Sequence, residues 1–510
     1  MPFGAGVVSS GTRTGMGHRK LAQSLAYSVP ERGNPVGVGM KHHEEYDLLS
    51  IGGGTAGLVS AAGGAYLGVR SAIVEKSALG GDCLWTGCVP SKALIASAKV
   101  AHAMRDADRL GLTAVAPKHA FAEVMTRMRR ARGVVEHHDD PQRLRDIGVD
   151  VHFGAARFLS NREVEVEGIG ILKAKRIVIA TGAAPVAPPI PGLEEIGYLD
   201  HHSLFEAEHL PDRVTVLGAG PIGLEMAQVM SRLGATVTVV EIADRILPKE
   251  DRDIADRLRA MLEAEGLHMR LGEHVDAIER SPEGKVLHTS AGERLLTDEI
   301  FVATGRRPFL DGLGLDHAGV RVIDGAVDVD SAMRTTSRNI WAAGDVTGGL
   351  QFTHVADQQA KAVLRNALLP GSTHVRYDNV PWVTFTDPEI AHVGMSQIEA
   401  EAQGGRTFSY ELDDLDRAIV DGVGRGVVKI SADKKGRILG ATILGAHAGE
   451  LIMPIVLAKT HGLRLTNVTN TIFPYPTLVE GVKRAATEYQ KLRLEGTGGR
   501  VLKKVISWLP

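Results

Sequence analysis

Cys83 and Cys88 are the two cysteines of the 510-residue sequence, and both lie in the stretch GGDCLWTGCVPSK. A structural disulfide between them would close only a short loop and would stabilise the fold little. A zinc site needs about four ligands, and no second cysteine pair or nearby histidine cluster supplies them. The spacing therefore favours a pair that forms and breaks its bond during a redox reaction. No metal-ligating residues are predicted.

A redox pair needs a partner, and the first glycine motif supplies a candidate. In YDLLSIGGGTAGLVSA a buried strand leads into Gly52, Gly54 and Gly57, and a helix of small residues follows. The next strand ends at Glu75, about 20 residues further on, where a carboxylate would meet a ribose hydroxyl. The helix N-terminus would face a pyrophosphate. This stretch predicts a dinucleotide site.

The pattern recurs in RVTVLGAGPIGLEMAQVMSRLGATVTVVE, with Gly218, Gly220 and Gly223 and a strand that ends at Glu241. Two such units predict two dinucleotides. Because Glu241 can accept a bond from a ribose 2′-hydroxyl but would repel a 2′-phosphate, NADH is favoured. Arg245 is close enough in sequence to leave NADPH open.

Three further stretches place glycines directly after apolar strands. IVIATG ends in Thr181 and Gly182, IFVATG ends in Gly305, and NIWAAGD ends in Gly344 and Asp345. The two Ala-Thr-Gly strand ends lie on either side of the second glycine motif. These two strand ends are typical of the points where a chain leaves one domain for a second, inserted domain and then returns.

The ordered set of motifs resembles the flavoprotein disulfide reductases, which include dihydrolipoamide dehydrogenase, glutathione reductase and mercuric reductase. The resemblance covers roughly residues 46–490 and extends to VTFTDPEIAHVG. It implies an α/β fold with two Rossmann-like domains, for FAD and for NAD(P)H, and a C-terminal α+β dimerisation domain.

The resemblance also implies the domain boundaries. The N-terminal extension is expected to be disordered, and a transit peptide stays open because basic residues precede its first acid, Glu31. The expected segments are an extension (1–45), a first FAD-binding segment with the redox cysteines (46–190), the NAD(P) domain (191–310), a second FAD-binding segment (311–380), the dimerisation domain (381–492) and a tail (493–510).

In the family pattern the cysteine nearer the C-terminus lies against the flavin, here Cys88, and Cys83 faces the substrate. The residues agree, because Pro90 suits a first helical turn. Cys88 would then lie at a helix N-terminus, where a thiolate is favoured.

The resemblance gives roles to four further side chains. Lys92 and Glu225 correspond to an ion pair beside the flavin, and Asp345 would bond the ribityl chain of FAD. The segment THVAD would begin a helix aimed at the flavin ring. For His354 within it, a capping or packing role is nearly as well supported as a flavin contact.

The lipoamide and glutathione enzymes carry a His-Pro-Thr segment whose histidine is the acid–base catalyst across the dimer interface. Here the segment reads TIFPYPTLVEG, with Tyr475 at the histidine position and Glu480 five residues later. A phenol with a pKa near 10 is a poor proton acceptor at neutral pH. Tyrosine at this position is the mercuric-reductase pattern, although the vicinal cysteine pair of those enzymes is absent from this sequence.

Composition narrows the function classes. The net charge of −3, from 58 basic and 61 acidic residues, argues against a nucleic-acid surface. No apolar run reaches the roughly 18 residues that span a bilayer. Two cysteines in so long a chain fit a reducing compartment, and the cytoplasm is expected.

The tail has an amphipathic pattern for which docking on its own domain is favoured, while membrane association stays open. Its apolar positions are Val501, Leu502, Val505, Ile506 and Leu509, with Lys503, Lys504 and Ser507 opposite.

The combined prediction is a homodimeric FAD enzyme. It would take hydride from NADH, or less readily from NADPH, and pass electrons through Cys83 and Cys88 to a small-molecule or metal-ion acceptor, as in mercuric reductases. A dihydrolipoamide dehydrogenase with an altered base, and a redox-sensing flavoprotein with little turnover, are the alternatives.

Overall fold

The computed structural model describes residues 45–118, 120–496, 500, 503 and 506–508. Residues 1–44 of the predicted extension lie outside this range, as do Val501, Leu502, Lys504, Val505 and Leu509 of the predicted tail helix. Within the described ranges, no helix combines the length and the apolar character that crossing a membrane requires.

The first segment builds a nucleotide-binding layer of strands and helices. Its strands are β1 Leu48–Ile51, β2 Ser71–Glu75, β3 Val149–Phe153, β4 Ala156–Phe158, β5 Glu163–Val166, β6 Gly170–Lys173, β7 Ile177–Ile179 and β8 Ala183–Pro185, and its helices are α1 Thr55–Tyr66, α2 Gly81–Trp85, α3 Cys88–Arg105, α4 Phe121–Glu136 and α5 Pro141–Asp146.

The second segment repeats the strand–glycine–helix unit. Its elements are α6 Leu193–Ile196, β9 Arg213–Leu217, α7 Pro221–Arg232, β10 Thr236–Glu241, α8 Arg252–Ala264, β11 His268–Leu271, β12 Val275–Ser281, β13 Gly284–Thr289, β14 Arg294–Thr297, β15 Glu299–Val302 and β16 Arg306–Pro308.

The remaining chain returns to the first layer and then forms a separate antiparallel sheet. Its strands are β17 Val322–Ile323, β18 Ala326–Val327, β19 Ile340–Ala342, β20 Pro381–Thr384, β21 Glu389–Gly394, β22 Arg406–Glu411, β23 Val427–Ala432 and β24 Ile438–Gly445, and its helices are α9 Thr353–Leu368, α10 Gln397–Ala402, α11 Asp416–Val420, α12 Ala448–Leu451, α13 Met453–Thr460, α14 Leu465–Asn470 and α15 Glu480–Glu495.

Two parallel sheets carry the two glycine motifs. The first has the order β19-β7-β1-β2-β3 and the second the order β11-β10-β9-β15. The central strand β1 is buried along its whole length, because α1 and α9 pack on one face of the sheet and the antiparallel strands β4–β6 pack on the other. The carboxyl end of β1 leads to the first glycine motif and that of β9 to the second, so each motif lies at the edge where such sheets bind ligands.

A two-stranded antiparallel ribbon joins the two parallel-sheet layers. In it Arg306 pairs with Pro185 and Pro308 pairs with Ala183. The two Ala-Thr-Gly stretches thus lead into neighbouring strands, as expected for the two crossings of an inserted domain.

The C-terminal sheet has the order β20-β21-β24-β23-β22 and is antiparallel throughout. Its core includes Val428, Ile430 and Ile443, with Val482 and Tyr489 of α15 packed against them. Together with the two parallel-sheet layers, this α+β unit confirms the predicted fold class.

A buried ion network fixes the second layer to the C-terminal sheet. Arg232, at the end of α7, donates to Glu265 at 2.8 Å and to Asp387 at 2.8 Å. Its side chain is only 5% exposed, so the two carboxylates supply the charge and the hydrogen-bond acceptors that a buried guanidinium requires.

We expect Arg232→Ala to lower the free energy of unfolding by about 3–5 kcal/mol, because it leaves two partly buried carboxylates without their cation. Urea denaturation followed by circular dichroism measures the loss. The matched control is Arg259→Ala on α8, whose exposed pair with Glu263 contributes about 0.3–0.5 kcal/mol. Equal losses in the two variants would contradict a structural role for the buried network.

Candidate active site

Cys83 lies in the short helix α2 and Cys88 is the first residue of α3, as predicted for a cysteine at a helix N-terminus. Both are free thiols. The turn between them closes tightly, since a Cβ on Gly87 would lie 2.7 Å from the carbonyl oxygen of Asp82. The Trp85 indole N–H donates to the carbonyl oxygen of Leu79 at 2.7 Å and fixes the same turn. The sequence thereby holds the two thiols on one rigid loop.

The two thiols share one proton. The hydrogen bond from Cys83 lowers the pKa of Cys88 to about 6 against the opposing effect of burial, and the Thr353 hydroxyl and the charge of Lys92 lower it further. The same hydrogen bond, together with burial, raises the pKa of Cys83. At neutral pH the reduced pair therefore consists of a Cys88 thiolate and a Cys83 thiol.

Lys92 and Glu225 form the predicted ion pair, with 2.7 Å between Nζ and Oε2. Glu225 is 5% exposed, and its second carboxylate oxygen accepts the Phe385 N–H at 2.9 Å. The Lys92 ammonium also lies 4.4 Å from the centre of the Phe385 ring. The ion pair therefore joins α3, α7 and the loop after β20.

Thr353 is a further site residue, to which the sequence analysis gave no role of its own. Its hydroxyl lies 3.7 Å from the Cys88 sulfur, at the first residue of α9. The sequence contained a partial signal, because THVAD was predicted to begin a helix aimed at the flavin ring, although not to contact Cys88. The exposed His354 donates to the Pro381 carbonyl oxygen at 2.8 Å and stacks on Phe352.

In the first glycine motif, the third glycine lies very close to the backbone of the first. A Cβ on Gly57 would lie 1.8 Å from the Gly52 carbonyl oxygen, so only glycine allows α1 to start there. Gly54 caps α1 without a side-chain hydrogen bond, which leaves the N–H groups of the first turn for an anionic ligand. Glu75 is positioned by hydrogen bonds from Gly53 N–H at 2.6 Å and Ser77 N–H at 2.8 Å.

The second motif reproduces this geometry. A Cβ on Gly223 would lie 2.0 Å from the Gly218 carbonyl oxygen, and Gly220 caps α7 without a side-chain bond. Glu241 accepts the Ala219 N–H at 2.7 Å and the Ala243 N–H at 2.9 Å. In both motifs the structure thus brings the predicted glycines and carboxylate together, at the start of a helix that no side chain caps.

Asp345 lies beside a cation that the sequence analysis did not assign. Arg306 contacts Asp345 at 3.3 Å and also forms an ion pair with Asp82. Burial raises the pKa of Asp345, and the Arg306 Nε is buried without a hydrogen-bond partner among the described residues. Nearby, Gly182 has a φ of +71° and Gly305 a φ of +148°, and Thr181 donates to the Phe309 carbonyl oxygen at 2.7 Å.

Among the described residues of one chain, Tyr475 is not hydrogen-bonded to either cysteine. Its ring is 69% exposed, and its hydroxyl donates to Asp416 at 2.9 Å. That bond and the charge of Asp416 raise the pKa of Tyr475, so the phenol stays protonated at neutral pH. Glu480, the first residue of α15, accepts from Arg484 at 2.8 Å. Within one chain Tyr475 therefore lies on the surface of the C-terminal unit, whereas the Glu480 side chain is only 14% exposed.

Comparison with known proteins places these features in a family. The pyridine nucleotide-disulphide oxidoreductase family matches residues 46–360, and the dimerisation domain of the same family matches residues 380–486. The chain belongs to this family. It is an FAD-dependent oxidoreductase that uses NAD(P)H, and it carries the family's dimerisation domain.

Relatives of two activities are similar over most of the chain. A mercuric reductase of Bacillus cereus is 34% identical over 90% of this chain and 74% of its own length. Dihydrolipoyl dehydrogenase 2 of Haloarcula marismortui is 35% identical over 86% of this chain and 96% of its own length. The Cu(II) complex of the HOCl-induced flavoprotein disulfide reductase RclA from Escherichia coli has a TM-score of 0.79 and 32% identity, covering 87% of this chain and 99% of that one.

The described residues fit FAD at the first motif. The start of α1, which no side chain caps, and the close approach at Gly57 suit a pyrophosphate. Glu75 is fixed at the end of β2, and the buried Nε–H of the half-buried Arg306 has no hydrogen-bond partner among the described residues. FAD, when bound, supplies two-electron chemistry between a nicotinamide and a disulfide.

We expect the alkylation rate of Cys88 in the chemically reduced protein to rise with pH to a plateau with a midpoint of about 6, well below the roughly 8.5 of a free cysteine. Iodoacetamide labelling at a series of pH values, read by mass spectrometry, distinguishes Cys88 from Cys83. Lys92→Met should raise the midpoint, because a cation that favours the thiolate is lost.

The control for this measurement is Lys99→Met on the same helix, since the Lys99 ammonium faces Glu389 at 3.4 Å and not the cysteines. It should leave the midpoint unchanged. A midpoint near 8.5 in the unmodified protein would contradict the assignment of the thiolate to Cys88.

Proposed function

We propose that the chain oxidises NADH in preference to NADPH and passes the electrons through Cys83 and Cys88 to a metal ion, a quinone or another acceptor that requires little proton transfer. The observation that carries this proposal is Tyr475, a protonated and hydrogen-bonded phenol at the position where dithiol-oxidising relatives have histidine. The relative RclA, solved as a Cu(II) complex, is consistent with a metal-ion acceptor.

The chain's own residues divide the work of the disulfide step. Reduction of the Cys83–Cys88 disulfide takes up two electrons and one proton, leaving the Cys88 thiolate and the Cys83 thiol. Lys92 and Thr353 stabilise the thiolate, and Glu225 fixes Lys92 in place. Cys83 is the thiol that would meet the acceptor, since in the family pattern the cysteine nearer the C-terminus, here Cys88, lies against the flavin.

The preference for NADH rests on Glu241. Both of its oxygens accept backbone N–H groups, so its charge is held at the end of β10, where a 2′-phosphate would be repelled. The Arg245 guanidinium donates to the Pro248 carbonyl oxygen at 2.5 Å. It is thus directed to the backbone of its own loop, which argues against a role in binding a 2′-phosphate.

Three further assignments belong to this proposal. The chain acts as a homodimer in which Tyr475 of one protomer faces the cysteine pair of its partner. Residues 46–190 and 311–380 form the FAD domain, with 191–310 as the NAD domain and 381–492 as the dimerisation domain. A cytoplasmic location follows from the two reducible cysteines.

We expect Glu241→Ala to strengthen NADPH binding by roughly tenfold, or about 1.4 kcal/mol, because the repelling charge is removed. The readout is stopped-flow reduction of the flavin at varied NADH and NADPH. Glu241→Gln is the matched control, since it removes the charge but keeps a hydrogen-bond acceptor, and it should narrow the preference in the same direction. If the unmodified enzyme used both nucleotides equally well, Glu241 would not set the preference.

Tyr475→His should raise dihydrolipoamide turnover by about 10²-fold or more, because positioned general bases contribute 10²–10⁴-fold. Steady-state assays with dihydrolipoamide, metal ions and quinones test this, with flavin reduction by NADH expected to stay unchanged. Tyr475→Phe is the control that removes the hydroxyl and adds no base, so its dihydrolipoamide turnover should stay low.

High dihydrolipoamide turnover in the unmodified enzyme would overturn the proposal in favour of a dihydrolipoyl dehydrogenase, for which the Haloarcula relative provides support. Failure to oxidise NADH with any acceptor in the panel would favour a redox-sensing protein instead.

A further inference from the structure

Three side chains with metal-binding atoms converge beside the redox loop. Asp82, in α2, meets His201 and His202 from the connection that precedes β9, and their ligand atoms lie within 4.8 Å of one another. Asp82 is separated from the two histidines by more than a hundred positions in the sequence, so no local sequence motif predicts the cluster. The exposure of the three is graded, with His201 buried, Asp82 half-buried and His202 exposed, which leaves an entry path from solvent.

His201 gives an independent indication that this cluster awaits a ligand. It is 6% exposed, and its Nε2 has no hydrogen-bond partner among the described residues. A buried polar atom that is left without a partner is destabilising. A ring nitrogen without a partner can offer its lone pair to a metal ion.

The spacing of Asp82 and His202 fits a metal better than a direct bond. Asp82 Oδ1 lies 3.7 Å from His202 Nε2, which is too far for a hydrogen bond. Two ligands on a tetrahedral Zn²⁺, each at about 2.0–2.1 Å from the ion, are separated by roughly 3.4 Å. A small rotation of the exposed His202 side chain would bring the ligand atoms to that separation.

The charge around the cluster also favours a cation. Arg306 engages Oδ2 of Asp82, and Oδ1 accepts a long hydrogen bond from the Thr86 hydroxyl at 3.4 Å, which leaves this oxygen a second lone pair for another partner. The single charge of Arg306 is shared with Asp345 at 3.3 Å. The Asp200 carboxylate accepts the His202 N–H at 2.9 Å and so holds the ligand backbone in place. These three carboxylates outnumber the one guanidinium.

We propose that Asp82, His201 and His202 bind a divalent transition-metal ion of borderline hardness, with Zn²⁺ as the representative, and leave a fourth position open to solvent. Two imidazoles and one carboxylate form a ligand set that suits such ions. The site is distinct from the cysteine pair but is adjacent to it, since Asp82 precedes Cys83. Occupancy would place positive charge next to the thiol that the proposed function assigns to the acceptor.

The test uses the FAD-loaded protein with Cys83→Ser and Cys88→Ser, so that no thiol can bind the metal. Equilibrium dialysis against Zn²⁺ with metal analysis, together with titration calorimetry, should give roughly one Zn²⁺ per chain. His201→Ala and His202→Ala in this background should each weaken binding at least about tenfold. His202→Asn, at the exposed position, gives the same test with the least risk to folding.

His209→Ala is the matched control, because His209 lies in the same connection, is exposed and is outside the cluster. It should leave Zn²⁺ affinity unchanged, and flavin content verifies that each variant is folded. The proposal is overturned if the thiol-free protein binds no Zn²⁺, or if the variant lacking both His201 and His202 binds it as tightly. Neither outcome depends on turnover, so the proposed function is judged separately.

Discussion

The carboxylate of Glu225 is the group on which the geometry of the redox centre depends. It is almost fully buried on α7, and it is balanced by the Lys92 ammonium on one side and the Phe385 N–H on the other. A buried charge is tolerated only when it is paired in this way. One side chain therefore aligns the redox helix α3, the nucleotide-binding helix α7 and the C-terminal unit. The Lys92 charge that it holds is also one of the causes of the Cys88 thiolate.

The two glycine motifs have the same local backbone geometry, which serves two different ligands. In both, a glycine carbonyl approaches the third glycine so closely that no side chain fits, and a glutamate at the end of the next strand accepts backbone N–H groups. The surroundings differ. The first motif is close in sequence to the cysteine loop, whereas the second lies beside an exposed strand end, Ile242 being 74% exposed.

The features that could be predicted from the sequence are those encoded within a few residues. Local spacing predicts the glycine motifs, the helix start at Cys88 and the glutamates that end β2 and β10. The Lys92–Glu225 pair followed from family resemblance. Thr353 beside Cys88, Phe385 on Glu225 and Arg306 between Asp82 and Asp345 are contacts between distant segments. Their pairing depends on the order of the strands and on side-chain directions, which no single stretch of sequence encodes. The same holds for Asp82, His201 and His202.

The β8–β16 ribbon has a consequence for how such chains can be recombined. Because Pro185 and Arg306 are paired neighbours, the chain leaves the first layer and returns to it at nearly the same point. The segment between these two residues therefore begins and ends at neighbouring positions. A related sequence of different length or nucleotide preference could replace it as a cassette, provided that it keeps the Glu225 carboxylate and the Arg232 guanidinium, which contact Lys92 and Asp387 outside the replaced segment.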